Sequence, residues 1–390
     1  MVPRIKAELM KNKILVWETL ATVSGGQKMT LAVMDMLRNE YDFCCLIPSE
    51  GKMSEELEHR NIPYVIIGDQ TLPKGIKGRS VIFRYAAMSL RCIRRSLSVI
   101  RKYKPDLLYA PGPAALPWSA ICGSLTGKPA VWHLHHNFQD GMTARLLNIC
   151  SKWRSVKKII SVSECVGKQI ENKIAADKVK VLYNPIDVNK YSSGNGTKAA
   201  EKLENEYGVI TDGAVILTHI ALVQRLKKQD VVLKAIKILC TWGYNIIGIF
   251  PGEVTDREYM DEIKELATEL DIGNKIVFCG RRDDIPDVLA MSHAIIIPSF
   301  EGFPLAAQEA AAAGIPVIAA DLGGAAEFVS LTGAGEVFRE DDPESMADKI
   351  IAVLENREVY TSNGKNYSVN WSESKYRDDL RGVFGECTGK

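Results

Sequence analysis

The stretch Ala294 to Val329, AIIIPSFEGFPLAAQEAAAAGIPVIAADLGGAAEFV, constrains the fold more than any other part of the chain. Its apolar start, Ala294 to Pro298, is too short for a helix and reads as a buried strand of a parallel sheet. Pro304 to Ala313 then reads as a helix packed behind that strand, and Gly314 supplies the stop. A strand feeding a helix in this way is the unit from which α/β domains are built.

This helix carries chemistry as well as packing. Pro304 suits the first helical position, where its missing N–H costs nothing, and the next amides, of Leu305 and Ala306, point out of the N-terminus toward an anion. Glu301 lies in the loop just before the helix and Glu309 on it. The neighbours of Glu309 three and four residues away are Leu305, Ala306, Ala312 and Ala313, so no cation on its own helix pairs with it. Two carboxylates beside an anion-binding helix end suit a sugar nucleotide: hydroxyls for the carboxylates, phosphates for the amides.

Glu301-Gly-Phe-Pro-Leu-Ala-Ala-Gln-Glu309, followed by Gly314-Ile-Pro-Val and Asp321-Leu-Gly-Gly-Ala-Ala-Glu-Phe-Val, resembles the donor site of the retaining glycosyltransferases of family 4. A lone Glu-x7-Glu arises by chance in most chains, whereas the whole block is specific. The resemblance extends from Ile14 to about Phe384. It implies an α/β chain with the GT-B fold, in which two Rossmann-like doubly wound parallel-sheet domains face each other across a cleft. The acceptor lies mainly on the first domain of such proteins and the nucleotide-sugar donor on the second.

A chain of 390 residues accommodates two domains of ordinary size. The first is expected over 1–190 and the second over 191–370, with the polar tract Ser192 to Lys198 as linker and a last helix, 371–390, packing back on the first domain. No apolar stretch approaches the roughly 20 residues that span a bilayer. The start, MVPRIKAELMKNKILVW, is unlike a signal peptide, so a cytoplasmic protein is expected. Nine cysteines, most among apolar residues and without a Cys-x2-Cys pair, read as reduced core thiols.

Along the first half, Lys13 to Trp17, Phe43 to Pro48, Tyr64 to Gly68, Asp106 to Ala110 and Ala130 to His133 read as strands alternating with helices. Thr22-Val-Ser-Gly25-Gly26 is a glycine turn between the first strand and a helix from Gln27 to Leu37, a geometry that cradles phosphate in doubly wound folds. The resembling family carries a Gly-Gly pair there, facing the cleft. His133-Leu-His135-His136 should emerge at the edge of its strand. Its spacing matches no standard zinc pattern. In the resembling family a histidine after this strand faces the donor sugar, a role that fits His133 best and His135 second.

Charge is split between the halves. Residues 1–190 hold 29 Lys and Arg against 16 Asp and Glu, net +13, which leaves 20 against 32, net −12, for residues 191–390. From Gln70 to Pro105 there is no acidic residue, while Lys74, Lys77, Arg79, Arg84, Arg91, Arg94, Arg95, Arg101, Lys102 and Lys104 are basic. A second acid-free run, Gly141 to Ser163, adds Arg145, Lys152, Arg154, Lys157 and Lys158. Apart from a solvated helix face, the basic 74–104 stretch suits an anionic membrane surface or a lipid-diphosphate acceptor, making the protein a candidate for peripheral attachment. No recognition motif accompanies the charge, so nucleic acid is not expected as a partner.

The second half opens with a strand at Ala214 to His219 and then Leu222-Val-Gln-Arg225-Leu-Lys227-Lys-Gln-Asp230. Family members have Gly-Arg-Leu here and a Lys-Gly a few residues on, the Arg and Lys binding the donor diphosphate. Lys227 aligns with that lysine, but the arginine's place falls at Leu222, and Arg225 is the candidate substitute from the same loop. Phe250-Pro-Gly252-Glu253 falls where the family has a base-proximal glycine. Val277 to Pro286, with Arg281, resembles the segment whose backbone contacts the base.

The expected function is therefore a retaining glycosyltransferase, metal-independent and without a cofactor. It would move a sugar from a UDP- or GDP-sugar to a glycan or lipid-diphosphate-linked acceptor. Lys227, Arg225 and the amides after Phe303, at Pro304 and Leu305, would meet the diphosphate, the last named supplying an N–H that a proline lacks. Glu309 would hold the ribose, Glu301 the donor sugar, and His133 would orient sugar and acceptor. A sugar-nucleotide epimerase of the same fold and a non-catalytic binding or scaffold protein are the alternatives. A dehydrogenase is disfavoured, because its Gly-x-Gly-x-x-Gly loop with a following acid is absent.

Overall fold

The computed structural model describes residues 11–23, 25–68, 79–112, 114–138, 141–170 and 173–389. They form two compact units. One comprises residues up to Tyr183 together with Tyr376–Lys390, the other Asn184–Lys375.

In the first unit, strands β1 (Asn12–Trp17), β2 (Tyr41–Ile47), β3 (Tyr64–Ile66), β4 (Leu107–Ala110), β5 (Ala130–Leu134), β6 (Val156–Ser161) and β7 (Val179–Val181) form one sheet. Every pairing is parallel, in the order β3-β2-β1-β4-β5-β6-β7. The order reverses direction between β1 and β4, where Val16 lies beside Tyr109. Apolar residues on the central strands β1, β4 and β5 are buried on both faces, as a sheet covered by helices requires. The last helix, Glu373–Thr388, contributes Tyr376, Leu380, Val383 and Phe384 to this core, and Arg381 on it grips Glu40 through two contacts of 2.6 and 2.7 Å.

The second unit contains β8 (Val215–Thr218), β9 (Ile246–Pro251), β10 (Ile276–Gly280), β11 (Ala294–Ile297), β12 (Val317–Ala320) and β13 (Gly335–Phe338), all parallel, in the order β10-β9-β8-β11-β12-β13. Its order reverses between β8 and β11, where Ile295 sits beside Thr218. In such sheets the crevice beyond the strand ends at the reversal is where ligands collect.

The division at Tyr183/Asn184 falls a few residues before the expected 190. Asn184 belongs to the second unit because its carbonyl accepts from Gln308 Nε2 at 2.7 Å, and Tyr191 follows it. The expected linker is also more ordered than its composition implies. Gly196–Tyr207 is a helix capped by the Asn195 side chain, and only Ala199 and Leu203 on it are buried.

Candidate functional site

The loops after β8 and β11 flank the reversal point of the second sheet, and the residues singled out in the sequence concentrate there. The β8 loop tightens into a single turn of 3-10 helix, Arg225–Lys227, and the next residue, Lys228, has φ 52. That backbone conformation favours glycine, which the resembling family has at this point. Lys228 itself turns to Glu340 and Asp341, each 2.8 Å away, whereas Lys227 turns to the β11 loop and pairs with Glu301. Both side chains of that pair are mostly shielded, at 21% and 27% exposure. Ser299, itself buried, also donates to Glu301 at 3.3 Å.

The Glu301 loop is braced from behind. Gly324 N–H donates to the Glu301 carbonyl at 2.8 Å, and a side chain on Gly324 would run into the Gly302 carbonyl, only 1.9 Å from where its Cβ would lie. This explains the Gly-Gly after Asp321-Leu: it lets the helix Gly323–Thr332 approach the loop closely. Phe303 is buried between Phe328 and Trp371, with ring centroids 5.9 and 6.1 Å away, so its side chain anchors the loop.

The helix spans Leu305–Ala313, with Pro304 at φ −73, ψ 116 as its N-cap rather than its first residue. Ala307 and Gln308 N–H both reach the Pro304 carbonyl, so the amides of Leu305 and Ala306 precede the intrahelical ladder. Glu309 is half-buried and has a partner that lies far away in sequence: Tyr191 Oη donates to its Oε1 at 2.6 Å. This partner is a hydroxyl from another segment, and the absence of a cation on its own helix stands. Burial and then the Glu309 charge push the Tyr191 phenol well above its ordinary pKa, so it stays a donor.

Four other residues singled out in the sequence make contacts different from those of the Lys227–Glu301 pair. Arg225 is 60% exposed, pairs with Glu262 at 2.6 Å and covers the Tyr259 ring at 5.1 Å, beside a groove of about 360 Å³ rimmed by acidic Asp230, Glu265 and Glu269. Arg281 is a surface residue 3.6 Å from Asp283. Gly252 has a packing reason: a Cβ there would lie 1.7 Å from the Ala221 carbonyl. Leu222, in the place of the family arginine, is 43% exposed.

In the first unit, Gly25 and Gly26 are the first residues of the helix Gly25–Leu37, in front of the reversal between β1 and β4. A Cβ on either would meet nothing within 4 Å, and neither has positive φ. Packing does not require glycine there. Ser24 of the same turn lies outside the described residues.

Beside that helix start, the buried Glu18 carboxylate accepts from Thr30 Oγ1 at 2.5 Å and Gln27 Nε2 at 3.1 Å, and burial raises its pKa. Sequence reasoning did not single it out, and a lone glutamate at a strand end gives little signal.

His133 does not emerge at a strand edge, because β5 continues through Leu134 and pairs His133 with Ile160. It is 1% exposed. Its Nδ1 is 2.6 Å from Tyr109 Oη and its Nε2 has no partner. His135, half-buried, lies over it with ring centroids 4.0 Å apart. Burial holds His133 well below the ordinary histidine pKa and His135 down to about 4, so both are neutral near pH 7. His136 is exposed at the surface of the same loop.

Residues 23–190 match the family model described as Glycosyltransferase Family 4, and residues 200–368 the model described as Glycosyl transferases group 1. Over 381 residues the chain is 22% identical to an Escherichia coli UDP-Gal:alpha-D-GlcNAc-diphosphoundecaprenol alpha-1,3-galactosyltransferase, covering 94% of each chain. It is 28% identical over 210 residues to N-acetyl-alpha-D-glucosaminyl L-malate synthase of Bacillus anthracis, covering 53% of this chain and 52% of that one. Among solved structures, Anabaena HepE in complex with UDP and glucose superposes with a TM-score of 0.78 at 20% identity, over 96% of this chain and 100% of that one.

Proposed function

Because the chain belongs to the family 4, group 1 glycosyltransferases and has their GT-B fold, we propose that it is a retaining enzyme that takes its sugar from a UDP-sugar and delivers it to a lipid-diphosphate-linked or glycan acceptor. The observation that carries this reading is the pairing of Lys227 with Glu301 at the reversal point of the second sheet, next to the start of the helix Leu305–Ala313. An ammonium has three donors, and Glu301 takes one, so Lys227 can meet a phosphate while still holding the carboxylate. As the bond from the anomeric carbon to the phosphate oxygen breaks, negative charge grows on the diphosphate. Lys227 and the amides of Leu305 and Ala306 stabilise that charge.

Glu309 accepts from the ribose hydroxyls and Glu301 from hydroxyls of the donor sugar. The acceptor oxygen bonds the anomeric carbon on the face that the diphosphate leaves, and its proton passes to the departing phosphate oxygen. His133 and His135 are the first unit's candidates for orienting sugar and acceptor, His135 being the more exposed of the two. No step in this scheme calls for a metal ion. Uridine is favoured as the base by the UDP named for the E. coli relative and the Anabaena structure. The same E. coli name favours a lipid-diphosphate acceptor.

The helix Arg79–Tyr103 supports a membrane-surface role. Met88, Cys92, Ser96 and Ile100 form its buried stripe, while Arg91, Arg94, Arg101 and Lys102 are exposed beside Leu90. Lys74 and Lys77 of the expected basic stretch lie outside the described residues. Among the described residues no helix is long and apolar enough to cross a membrane. Flotation with phosphatidylglycerol vesicles at low salt tests this part: protein that stays at the bottom of the gradient rules it out.

Calorimetric titration of UDP, GDP and ADP into the wild type and Glu309→Ala tests the donor site. UDP binding that Glu309→Ala weakens supports it. Leu222 in the arginine's place favours one rival, a binding protein without catalysis, and nucleotide binding without sugar transfer to any acceptor would bring that rival forward.

A further inference from the structure

His219 is a buried polar residue that the proposed chemistry does not use. It continues β8 by one residue, its N–H donating to the Ile249 carbonyl at 2.9 Å, and it is 3% exposed. Its ring stands edge-on to Phe250, with centroids 6.1 Å apart. Both ring nitrogens lie near carbonyl oxygens: Nδ1 is 2.8 Å from the Ile296 oxygen and Nε2 is 3.1 Å from the Lys227 oxygen. The first carbonyl belongs to β11, the strand that delivers Ser299 and Glu301; the second belongs to the residue whose ammonium pairs with Glu301.

We infer that His219 is a positioning residue for the donor site, its Nε2–H holding the carbonyl of Lys227 to the end of β8 so that the Lys227 ammonium is presented where Glu301 and the donor diphosphate meet it. The inference rests on the donor-site reading given above. The turn is a single 3-10 turn followed by a left-handed residue, a form with few internal bonds of its own.

The chemistry of the ring sharpens the point. A neutral imidazole has one N–H and an imidazolium two. Burial, aided by the Lys227 charge, holds His219 down to about pKa 4 against the opposing pull of the two carbonyls, so near neutral pH the ring has a single N–H and bonds one carbonyl at a time. Whichever carbonyl holds the proton, the other faces a lone pair. With the proton on Nε2 the Lys227 carbonyl is held by one donor, and that tie needs no charge.

Two variants separate positioning from bulk. His219→Phe keeps a planar ring of similar size and removes both nitrogens; His219→Gln keeps an amide N–H that can reach the Lys227 carbonyl. Calorimetry with UDP and with uridine as probes is expected to show UDP binding weakened about tenfold in His219→Phe with uridine binding unchanged, and restored to within about threefold in His219→Gln. Equal weakening of UDP and uridine, or unchanged UDP binding in His219→Phe, overturns the inference. Amide hydrogen exchange of residues 224–228 in the unliganded protein reads the same tie without nucleotide. Faster exchange confined to that turn in His219→Phe is expected, and wild-type exchange overturns the inference even if the protein binds no nucleotide. Wild-type protein that binds no nucleoside diphosphate, with the exchange effect present, instead rejects the donor-site reading and leaves the tie standing.

Discussion

Lys227 and Glu301 come from loops that follow two neighbouring strands, β8 and β11, and their side chains pair beside the start of the helix Leu305–Ala313. The pair is part-exposed, so its worth to folding is small, about 1 kcal/mol or less. In the proposed transfer its worth is larger, because charge grows there as the donor bond breaks. Glu301→Gln and Lys227→Ala should therefore unfold within about 1 kcal/mol of the wild type in urea while turnover falls by about a hundredfold. A loss of several kcal/mol in stability with turnover per folded molecule unchanged would make the pair a structural one.

Tyr191 and Glu309 separate two roles within one contact. Glu309→Ala removes the carboxylate proposed to accept the ribose hydroxyls and should weaken UDP binding by about tenfold or more, roughly 1.4 kcal/mol per factor of ten. Tyr191→Phe removes only the donor at 2.6 Å. It should cost about 1 kcal/mol of stability and leave UDP binding within about threefold. Calorimetry beside thermal unfolding distinguishes them, and equal losses of UDP binding would mean that the phenol itself touches the nucleotide.

The buried histidines make stability depend on pH with a definite sign. His135 and His219 are held down to about 4, against an ordinary value of 6.5, by burial first and then by neighbouring positive charge. Between pH 6.5 and 4 the unfolded chain takes up protons that the folded protein refuses, so stability is full above about 6.5 and falls as pH drops toward 4. Below about 4 these two groups add no further slope. Each contributes up to about 3 kcal/mol. Urea unfolding at pH 7, 6, 5 and 4.5 should show the fall, and His135→Gln should flatten part of it; a slope unchanged by His135→Gln would remove that residue from the account.

How much of this was legible follows from what local sequence encodes. The strands announce themselves as apolar runs, and the block from Glu301 to Glu309 displays its carboxylates and its helix start within nine residues. Long-range partners leave no such mark. Glu309 looks unpaired along its own helix, and Tyr191 reaches it from a different segment. His219 reads as the end of a strand, and only the strand order β8-β11 brings it to the Ile296 carbonyl. Ser192 to Lys198 reads as a polar linker, yet its last residues open the helix Gly196–Tyr207, on which only Ala199 and Leu203 are buried. His133 looks like the first residue past an apolar run, yet its pairing with Ile160 keeps it inside the sheet.

Arg225 and Leu222 allow the missing arginine to be tested directly. Arg225 shares the Lys227 loop but pairs with Glu262 and lies over the Tyr259 ring on an exposed surface. Arg225→Ala should change UDP affinity less than about twofold, within what an exposed ion pair contributes. Leu222, by contrast, lies at the position where the family carries the cation and is part-exposed, so a longer polar side chain can be added there without opening the core. Leu222→Arg should tighten UDP by about tenfold or more, the 1.5–3 kcal/mol expected of charge-assisted bonds to phosphate, and should leave uridine binding unchanged. Tighter UDP together with faster transfer would mean that diphosphate contact limits this protein. Unchanged UDP affinity in Leu222→Arg, with a large loss in Arg225→Ala, would reverse the assignment and return Arg225 to the donor site.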